Sequence, residues 1–200
     1  MSTLKNKVSL QIENQLPDFV KSENPNFVAF MKAYYEFLDT PPDTLKYVRE
    51  GRNVVVMRTF SKIQGLAGLR IGYGLAPSAL ASVLQKTRQP FNANHLAQEA
   101  ALAALSDEEH QFRTKTITDE GRQFLQKSFD EMELEYLPSF ANFVLVKVGD
   151  GDAVFDALLR KGVIVRAMRS YKLPEWVRIS IGKKEENQRC VELLKEVILG

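Results

Sequence analysis

The sequence is poor in the residues that build disulfides and membrane spans. It has 1 cysteine in 200 residues, which excludes an internal disulfide and favours a reducing compartment. No apolar run approaches the roughly 20 residues that a membrane helix needs, and no charged segment followed by an apolar one opens the chain. We therefore expect a cytoplasmic protein with no membrane partner.

Net charge and metal ligands are also scarce. Lys and Arg number 27 against 25 Asp and Glu, a net charge of +2, which gives no reason to expect a nucleic-acid partner. His95 and His110 have no second ligand at metal spacing, so we interpret both as ordinary helix residues and expect no metal site. Cys190 shares an apolar helical stripe with Leu194 and Val197, and we interpret it as a core residue.

The first forty residues differ in pattern from the rest. In "NPNFVAFMKAYYEFLD", Asn24 is placed to cap a helix and Pro25 to occupy its first position. Apolar residues then recur at helical spacing, which predicts a helix over 25–38. The same word "FMKAYYEFLD" can also be interpreted as a strand end that carries an active-site tyrosine. The periodicity favours the helix, and the prolines of "TPPD" end it.

After these prolines, short apolar strands alternate with helices, which predicts an α/β or α+β fold. We divide the chain into a helical segment over 1–40, a region over 44–110 and a C-terminal domain over 111–200. Strands are predicted at "NVVVMRTF", "LRIGYGLA", "NFVLVKV", "VIVRAM" and "EWVRISIG". Helices are predicted at "PSALASVLQKTR", "NHLAQEAALAAL", "DEEHQFRTKTITDEGRQFLQKSFDEM", "GDAVFDALLRKG" and "KEENQRCVELLKEVIL".

The segment "RTFSKIQGLAGLRIGYG" at 58–74 has the residues for chemistry. Its glycines follow neither the Walker spacing nor G-x-G-x-x-G. Lys62 comes directly after a predicted buried strand, where partial desolvation favours a neutral amine that can attack a carbonyl. Ser61 and Arg70 supply a hydroxyl and a planar fork of donors, which suit a phosphate. A nucleophilic lysine with a phosphate anchor is what pyridoxal 5'-phosphate requires.

From about residue 45 to 200 the chain resembles the C-terminal part of class I/II (fold-type I) pyridoxal-phosphate-dependent aminotransferases, nearest to the histidinol-phosphate aminotransferase group. The resemblance rests on "LKYVREGRNVVVMRTFSKIQGLAGLRIGYGLAP", "RQPFNANHLAQEAALAAL", "PSFANFVLVKV" and "LPEWVRISIGKKEENQRCVELL". It implies that Lys62 is the Schiff-base lysine, which also moves a proton between substrate carbon and cofactor. It further implies that Ser61 and Arg70 bind the cofactor phosphate.

The resemblance also implies the substrates and the residues that bind them. Arg178 in "WVRISIG" corresponds to the arginine that grips an acidic group such as the carboxylate of glutamate. Arg166 in "VIVRAM" falls where the family places a second basic residue near the substrate phosphate, and Asn142 lies in the family's "ANF" motif. The implied reaction moves an amino group between an amino-acid-type phosphate and 2-oxoglutarate, in a homodimer. An amino-acid-phosphate decarboxylase on the same fold is the alternative within this class.

One part of the family's cofactor site is missing. The family holds the pyridine nitrogen with an aspartate in a strand motif that reads Asp-Glu-Ala-Tyr. Aligning "MKAY" with this motif puts Tyr34 on the cofactor's phenolic oxygen, but Met31 takes the place of the aspartate and Lys32 that of the glutamate. A thioether cannot hold a proton on the ring nitrogen. Because family members are about twice as long, we expect a truncated large-domain remnant plus a C-terminal small domain, with impaired or no activity.

A second resemblance concerns the first forty residues. "LQIENQLPDFVKSENPNFVAFMKAYYEFLD" is similar to short N-terminal segments of tailed-phage structural proteins. This similarity favours an alternative function, in which a phage-type assembly segment is fused to an inert aminotransferase-derived domain. The word "AYYEF" is common to both families, so the predicted junction falls on it.

Overall fold

The computed structural model describes residues 28–199. The chain divides into two compact units. The first takes the chain up to Tyr35 together with Asp39–Asp107, and the second takes Glu36–Leu38 together with the chain from Glu108 onwards. Each unit combines helices with one sheet, so the predicted mixed α/β character is confirmed.

The first unit has a three-stranded sheet of β1 (Val28–Met31), β2 (Val54–Thr59) and β3 (Gly72–Leu75). The central strand β2 pairs in parallel with β1 and antiparallel with β3. The three consecutive valines that begin β2 are 5% exposed or less, which is typical of a strand buried on both faces. The strands predicted at "NVVVMRTF" and "LRIGYGLA" are therefore confirmed.

The helix predicted over 25–38 is wrong in the described part of that range. Val28–Met31 form β1, and Tyr35–Phe37 form a 3-10 turn. Helical periodicity alone stabilises a short helix weakly, because most helix stability in proteins comes from tertiary packing. Here the parallel hydrogen bonding to β2 fixes the backbone in the extended form. The cap predicted at Asn24 and Pro25 lies outside the described residues.

The helices of the first unit follow turn and capping signals in the sequence. They are α1 (Leu45–Arg49), α2 (Ser78–Thr87) and α3 (His95–Ser106). The predicted opening of α2 at Pro77 is confirmed. The Asn94 side chain accepts a hydrogen bond of 2.8 Å from the Ala97 N–H, and thereby caps α3. The short helix α1 was not predicted.

The second unit has a four-stranded sheet of β4 (Tyr136–Leu137), β5 (Phe143–Lys147), β6 (Arg166–Ala167) and β7 (Trp176–Ser180). The strands form antiparallel pairs in the order β4-β5-β7-β6. The strand predicted at "VIVRAM" exists, but only two of its residues belong to β6.

Three helices of this unit pack on one face of the sheet. They are α4 (Glu108–Glu131), α5 (Gly151–Arg160) and α6 (Lys184–Leu199). Apolar side chains of these helices and of β5 and β7 form one buried cluster. It contains Leu125, Phe129, Val144, Val146, Val154, Leu158, Val165, Val177, Ile179, Cys190 and Leu194. The interpretation of Cys190 as a core residue is therefore confirmed.

The opposite face of this sheet has a different character. Val144 and Val177 enter the core, so their strand neighbours Leu145 and Arg178 belong to the other face, since successive side chains alternate. Leu145 and Arg178 are half-buried and directly opposite each other in the β5–β7 register. This face carries the arginines that the sequence singles out.

Two classes of feature are absent from residues 28–199. No helix there combines the length and the apolar character needed to cross a membrane. Nor do three or more His, Cys, Asp or Glu side chains in that range cluster so that they could hold a metal ion.

Candidate functional site

Lys62 lies in a tight turn just after β2. The strand ends at Thr59, whose hydroxyl oxygen accepts a hydrogen bond of 3.1 Å from the Ser61 N–H. Gly65, at φ +72, donates its N–H to the Lys62 carbonyl oxygen at 2.9 Å. This reversal needs the left-handed backbone that glycine adopts at little cost. The half-buried Lys62 is thus held on a short, fixed segment at the end of a buried strand.

A backbone hydrogen bond closes the loop that the glycine-rich segment forms after β2. The Phe60 N–H donates to the Ile71 carbonyl at 3.3 Å. Ser61 and Arg70 are the next residues on either side of this pair, so the loop brings the two predicted phosphate-binding residues together. Arg70 has φ 52 and its guanidinium donates to the Ala67 carbonyl at 2.8 Å. Its side chain is exposed and offers further donors to a ligand.

Tyr34 is close to Lys62 in space although 28 positions separate them in the chain. The Lys62 Nζ lies 5.3 Å from the centroid of the Tyr34 ring. Because β1 runs parallel to β2, both residues follow the carboxyl ends of adjacent strands. In parallel sheets this edge is where ligands bind. The structure therefore favours the strand interpretation of "FMKAYYEFLD", which the helical periodicity had outweighed.

The end of β1 is cationic and has no carboxylate at the predicted position. Met31 is the last residue of β1 and is 64% exposed. Burial, and then Coulombic repulsion from Arg58, lower the pKa of Lys32. The Arg58 Cζ lies 3.3 Å from the centroid of the Tyr35 ring, within the range of a cation–π contact. Lys32, Arg58 and Tyr35 were not predicted as site residues. The one available signal was an arginine inside the apolar run "NVVVMRTF".

The three predicted substrate residues all lie in the second unit. Arg166 of β6 and Arg178 of β7 are direct register partners. Asn142 precedes β5, and its carbonyl oxygen accepts a hydrogen bond of 2.9 Å from the Ile181 N–H, which extends the β5–β7 ladder. The structure thus brings the two arginines together and gives the Asn142 backbone a role in the sheet.

The two histidines lie in helices, as the sequence indicates. His95 Nδ1 is 3.9 Å from a Glu99 carboxylate oxygen on α3, and both side chains are exposed. His110 Nε2 is 3.4 Å from the Thr114 hydroxyl on α4. Both contacts join residues four positions apart on one helix, which is ordinary helix-surface geometry.

Comparison with known sequences gives one family for most of the chain. The family described as "Aminotransferase class I and II" matches residues 15–194. A histidinol-phosphate aminotransferase from Akkermansia muciniphila is 58% identical over 187 residues, which are 93% of this chain and 52% of that protein. The chain spans about half the length of the curated relatives it matches.

Solved structures agree with this similarity. The histidinol-phosphate aminotransferase from Sinorhizobium meliloti, in complex with pyridoxal-5'-phosphate, has a TM-score of 0.80 at 30% identity, over 87% of this chain and 49% of that chain. The histidinol-phosphate aminotransferase from Clostridium acetobutylicum has a TM-score of 0.84 at 19% identity, over 94% of this chain and 59% of that chain. This second likeness shows the fold alone.

The comparisons give no support to a phage origin of the first forty residues. The family match begins at residue 15, so it includes most of the segment that the second resemblance assigned to phage structural proteins. In the described residues, β1 also belongs to the same sheet as β2.

Proposed function

Because the chain belongs to the class I and II aminotransferases, we propose that it binds pyridoxal 5'-phosphate, the cofactor of this class, through the amine of Lys62. The observation that carries this proposal is the 5.3 Å approach of the Lys62 Nζ to the Tyr34 ring at the carboxyl edge of β1 and β2. Two chemically suited residues that follow different strands lie close together there.

The described residues fit two ends of the cofactor. Lys62 supplies an amine for the aldehyde carbon, and the Tyr34 hydroxyl is the donor for the phenolic oxygen. Next to the hydrogen bond between Phe60 and Ile71, Ser61 offers the phosphate a hydroxyl group and Arg70 offers N–H donors. When bound, the cofactor supplies a ring that accepts the electron pair of a substrate carbon.

The residues at the end of β1 do not fit the pyridine nitrogen of the cofactor. A protonated pyridine nitrogen needs an anionic acceptor, and the residue at that position is the thioether Met31. The neighbouring Lys32 and the buried Arg58 are cations, which oppose a further positive charge. We therefore propose that the chain retains cofactor binding while its transamination is impaired by several orders of magnitude or abolished.

The reaction class we propose is that of the relatives. We propose an amino transfer of the histidinol-phosphate aminotransferase type, between an amino-acid-type phosphate and 2-oxoglutarate. Arg178 and Arg166 bind the anionic groups of the substrate, and Asn142 is the third substrate residue. In domain terms, residues 44–110 are a remnant of the cofactor-binding large domain and 111–200 form the small domain. The partners are small molecules and a second copy of the chain, in the cytoplasm.

Cofactor attachment can be tested without any activity. The full chain is incubated with pyridoxal 5'-phosphate, reduced with borohydride and digested, and the pyridoxyl group is located by mass spectrometry. We expect a yellow absorbance band before reduction and a pyridoxyl group on Lys62 after it. Circular dichroism confirms that the protein is folded. A folded protein without the band contradicts the proposal.

Two variants make this assignment specific. K62A should abolish the reduced product. K32Q is the matched control, because Lys32 is a half-buried lysine of the same unit whose lowered pKa makes its amine a competitor for the aldehyde. K32Q should leave the product unchanged, and a pyridoxyl group found on Lys32 overturns the role given to Lys62.

A further inference from the structure

Arg166 and Arg178 occupy directly opposite positions in the antiparallel pairing of β6 and β7. They are on the sheet face that lies away from the helices α4, α5 and α6. Like charges placed directly opposite each other on neighbouring strands destabilise a sheet. Such a pair needs some other contact to hold it in place.

Each of these arginines lies against an aromatic ring. The Arg166 Cζ is 5.2 Å from the centroid of the Tyr171 ring, and the Arg178 Cζ is 5.1 Å from that of Phe143. Both distances are within the range of a cation–π contact. The face of an aromatic ring stabilises the charge without pairing with the guanidinium N–H groups as a carboxylate does, so these donors stay available.

The donors of this pair are not neutralised by acids. Among residues 28–199, neither guanidinium forms an ion pair with a carboxylate. The Arg178 Nε is buried and has no hydrogen-bond acceptor in the same part of the chain. A buried donor without an acceptor is costly, and water or an ion often satisfies such a group.

Tyr171 is held by a rigid turn and contributes little to the core. It ends the 3-10 turn Arg169–Tyr171 and is 55% exposed. The Tyr171 N–H donates to the Met168 carbonyl at 2.9 Å. The turn is further fixed by an ion pair between Arg169 and Asp152 of α5. This constrained turn presents the exposed Tyr171 ring to Arg166.

We propose that Tyr171 is a positioning residue, whose ring holds the Arg166 guanidinium on the sheet face that also carries Arg178, so that both arginines bind one doubly charged anion of the phosphate monoester class. The inference rests on the proposed function, which gives the two arginines to the substrate. It adds that the ring, and not a carboxylate, sets the geometry of the pair. Phe143 supports Arg178 in the same way.

The test uses inorganic phosphate as the probe and the full chain carrying R70Q, which removes the arginine of the proposed cofactor-phosphate site. Phosphate is titrated at constant ionic strength while the side-chain Nε–Hε NMR signals of the arginines are followed. The signals of Arg166 and Arg178 are assigned by their loss in R166Q and R178Q. We expect these two signals to shift when phosphate is added. Binding should strengthen between about pH 6 and pH 8, as phosphate gains its second charge.

Variants of Tyr171 distinguish a role in positioning Arg166 from a role in folding alone. Y171L should weaken phosphate binding about two- to fivefold, because the cation–π contact is lost. Y171F keeps the ring and should bind as the parent does. Equal weakening in Y171F and Y171L, or no weakening in Y171L, overturns the proposal. So does a parent protein whose Arg166 and Arg178 signals do not respond to phosphate. None of these results affects the Lys62 attachment test, which probes the other unit.

Discussion

Lys32 and Arg58 are like charges at the same end of two parallel strands. Lys32 immediately follows β1, and its N–H donates to the Met57 carbonyl at 2.9 Å, which continues the β1–β2 ladder. The next register position therefore sets Lys32 beside Arg58. Burial and the Arg58 charge together lower the pKa of Lys32, so the charged lysine opposes folding at neutral pH.

K32E should stabilise the protein. A glutamate at this position turns repulsion from Arg58 into attraction, and for a half-buried cross-strand pair we expect a gain of roughly 0.5–1 kcal/mol in the free energy of unfolding. Urea denaturation measures this gain, which should shrink as salt is added. K32Q removes the charge only and should give an intermediate value. A K32E protein less stable than K32Q contradicts the repulsion.

M31D should restore part of the missing cofactor chemistry. The new carboxylate at the end of β1 provides the anionic acceptor that the pyridine nitrogen lacks, and preorganised groups of this kind contribute about a hundredfold in rate. The protein is loaded with pyridoxal 5'-phosphate and mixed with glutamate, and the decay of cofactor absorbance is timed. M31N has nearly the same shape without the charge. If M31N reacts as fast as M31D, the charge at this position is not the missing element.

Gly72 and Gly68 lie in the same glycine-rich stretch and should respond differently to alanine. A Cβ on Gly72 would lie 2.6 Å from the Arg58 carbonyl oxygen and 3.5 Å from the Thr59 Cα. Both atoms belong to the backbone of β2 and cannot move aside, so G72A should cost roughly 1–3 kcal/mol. Gly68 has nothing within 4 Å of the same position, and G68A should change stability by less than about 0.5 kcal/mol. Urea denaturation compares the two, and equal losses contradict the close packing of β3 on β2.

The stability of the second unit should fall at alkaline pH through Cys190. Burial raises the pKa of its thiol from 9.0 to about 11. As the pH rises through this window, the unfolded chain loses the thiol proton before the folded one does. The contribution of the thiol is therefore fully present below pH 9.0 and is lost towards pH 11. Urea denaturation at about pH 8 and about pH 10 checks this, with C190A as the control. If both proteins lose the same free energy, Cys190 is not the cause.

Much of the fold could be predicted because its signals are local. The valine run of β2, Asn94 at the start of α3 and Pro77 before α2 each act within a few residues. Lys62 could be singled out as a candidate because its flanking residues form one continuous motif. In these places the local preference and the tertiary structure agree.

What could not be predicted depends on partners far away in the chain. β1 forms because Val28 pairs with Val54, and the apolar periodicity within 25–38 does not encode that pairing. The opposition of Arg166 and Arg178 is likewise a matter of strand register, which a hydrophobic pattern fixes only when both strands are known. The cationic end of β1 follows from the same pairing, since it alone sets Lys32 beside Arg58.

The strand β3 has a consequence for how the protein behaves at high concentration. Among residues 28–199 it lies at an edge of its sheet, and all four of its residues are exposed. An edge strand offers backbone hydrogen-bonding groups to any other strand, including one from a second molecule. The brevity of β3 and its two glycines weaken that tendency. A higher protein concentration therefore favours self-association through this edge.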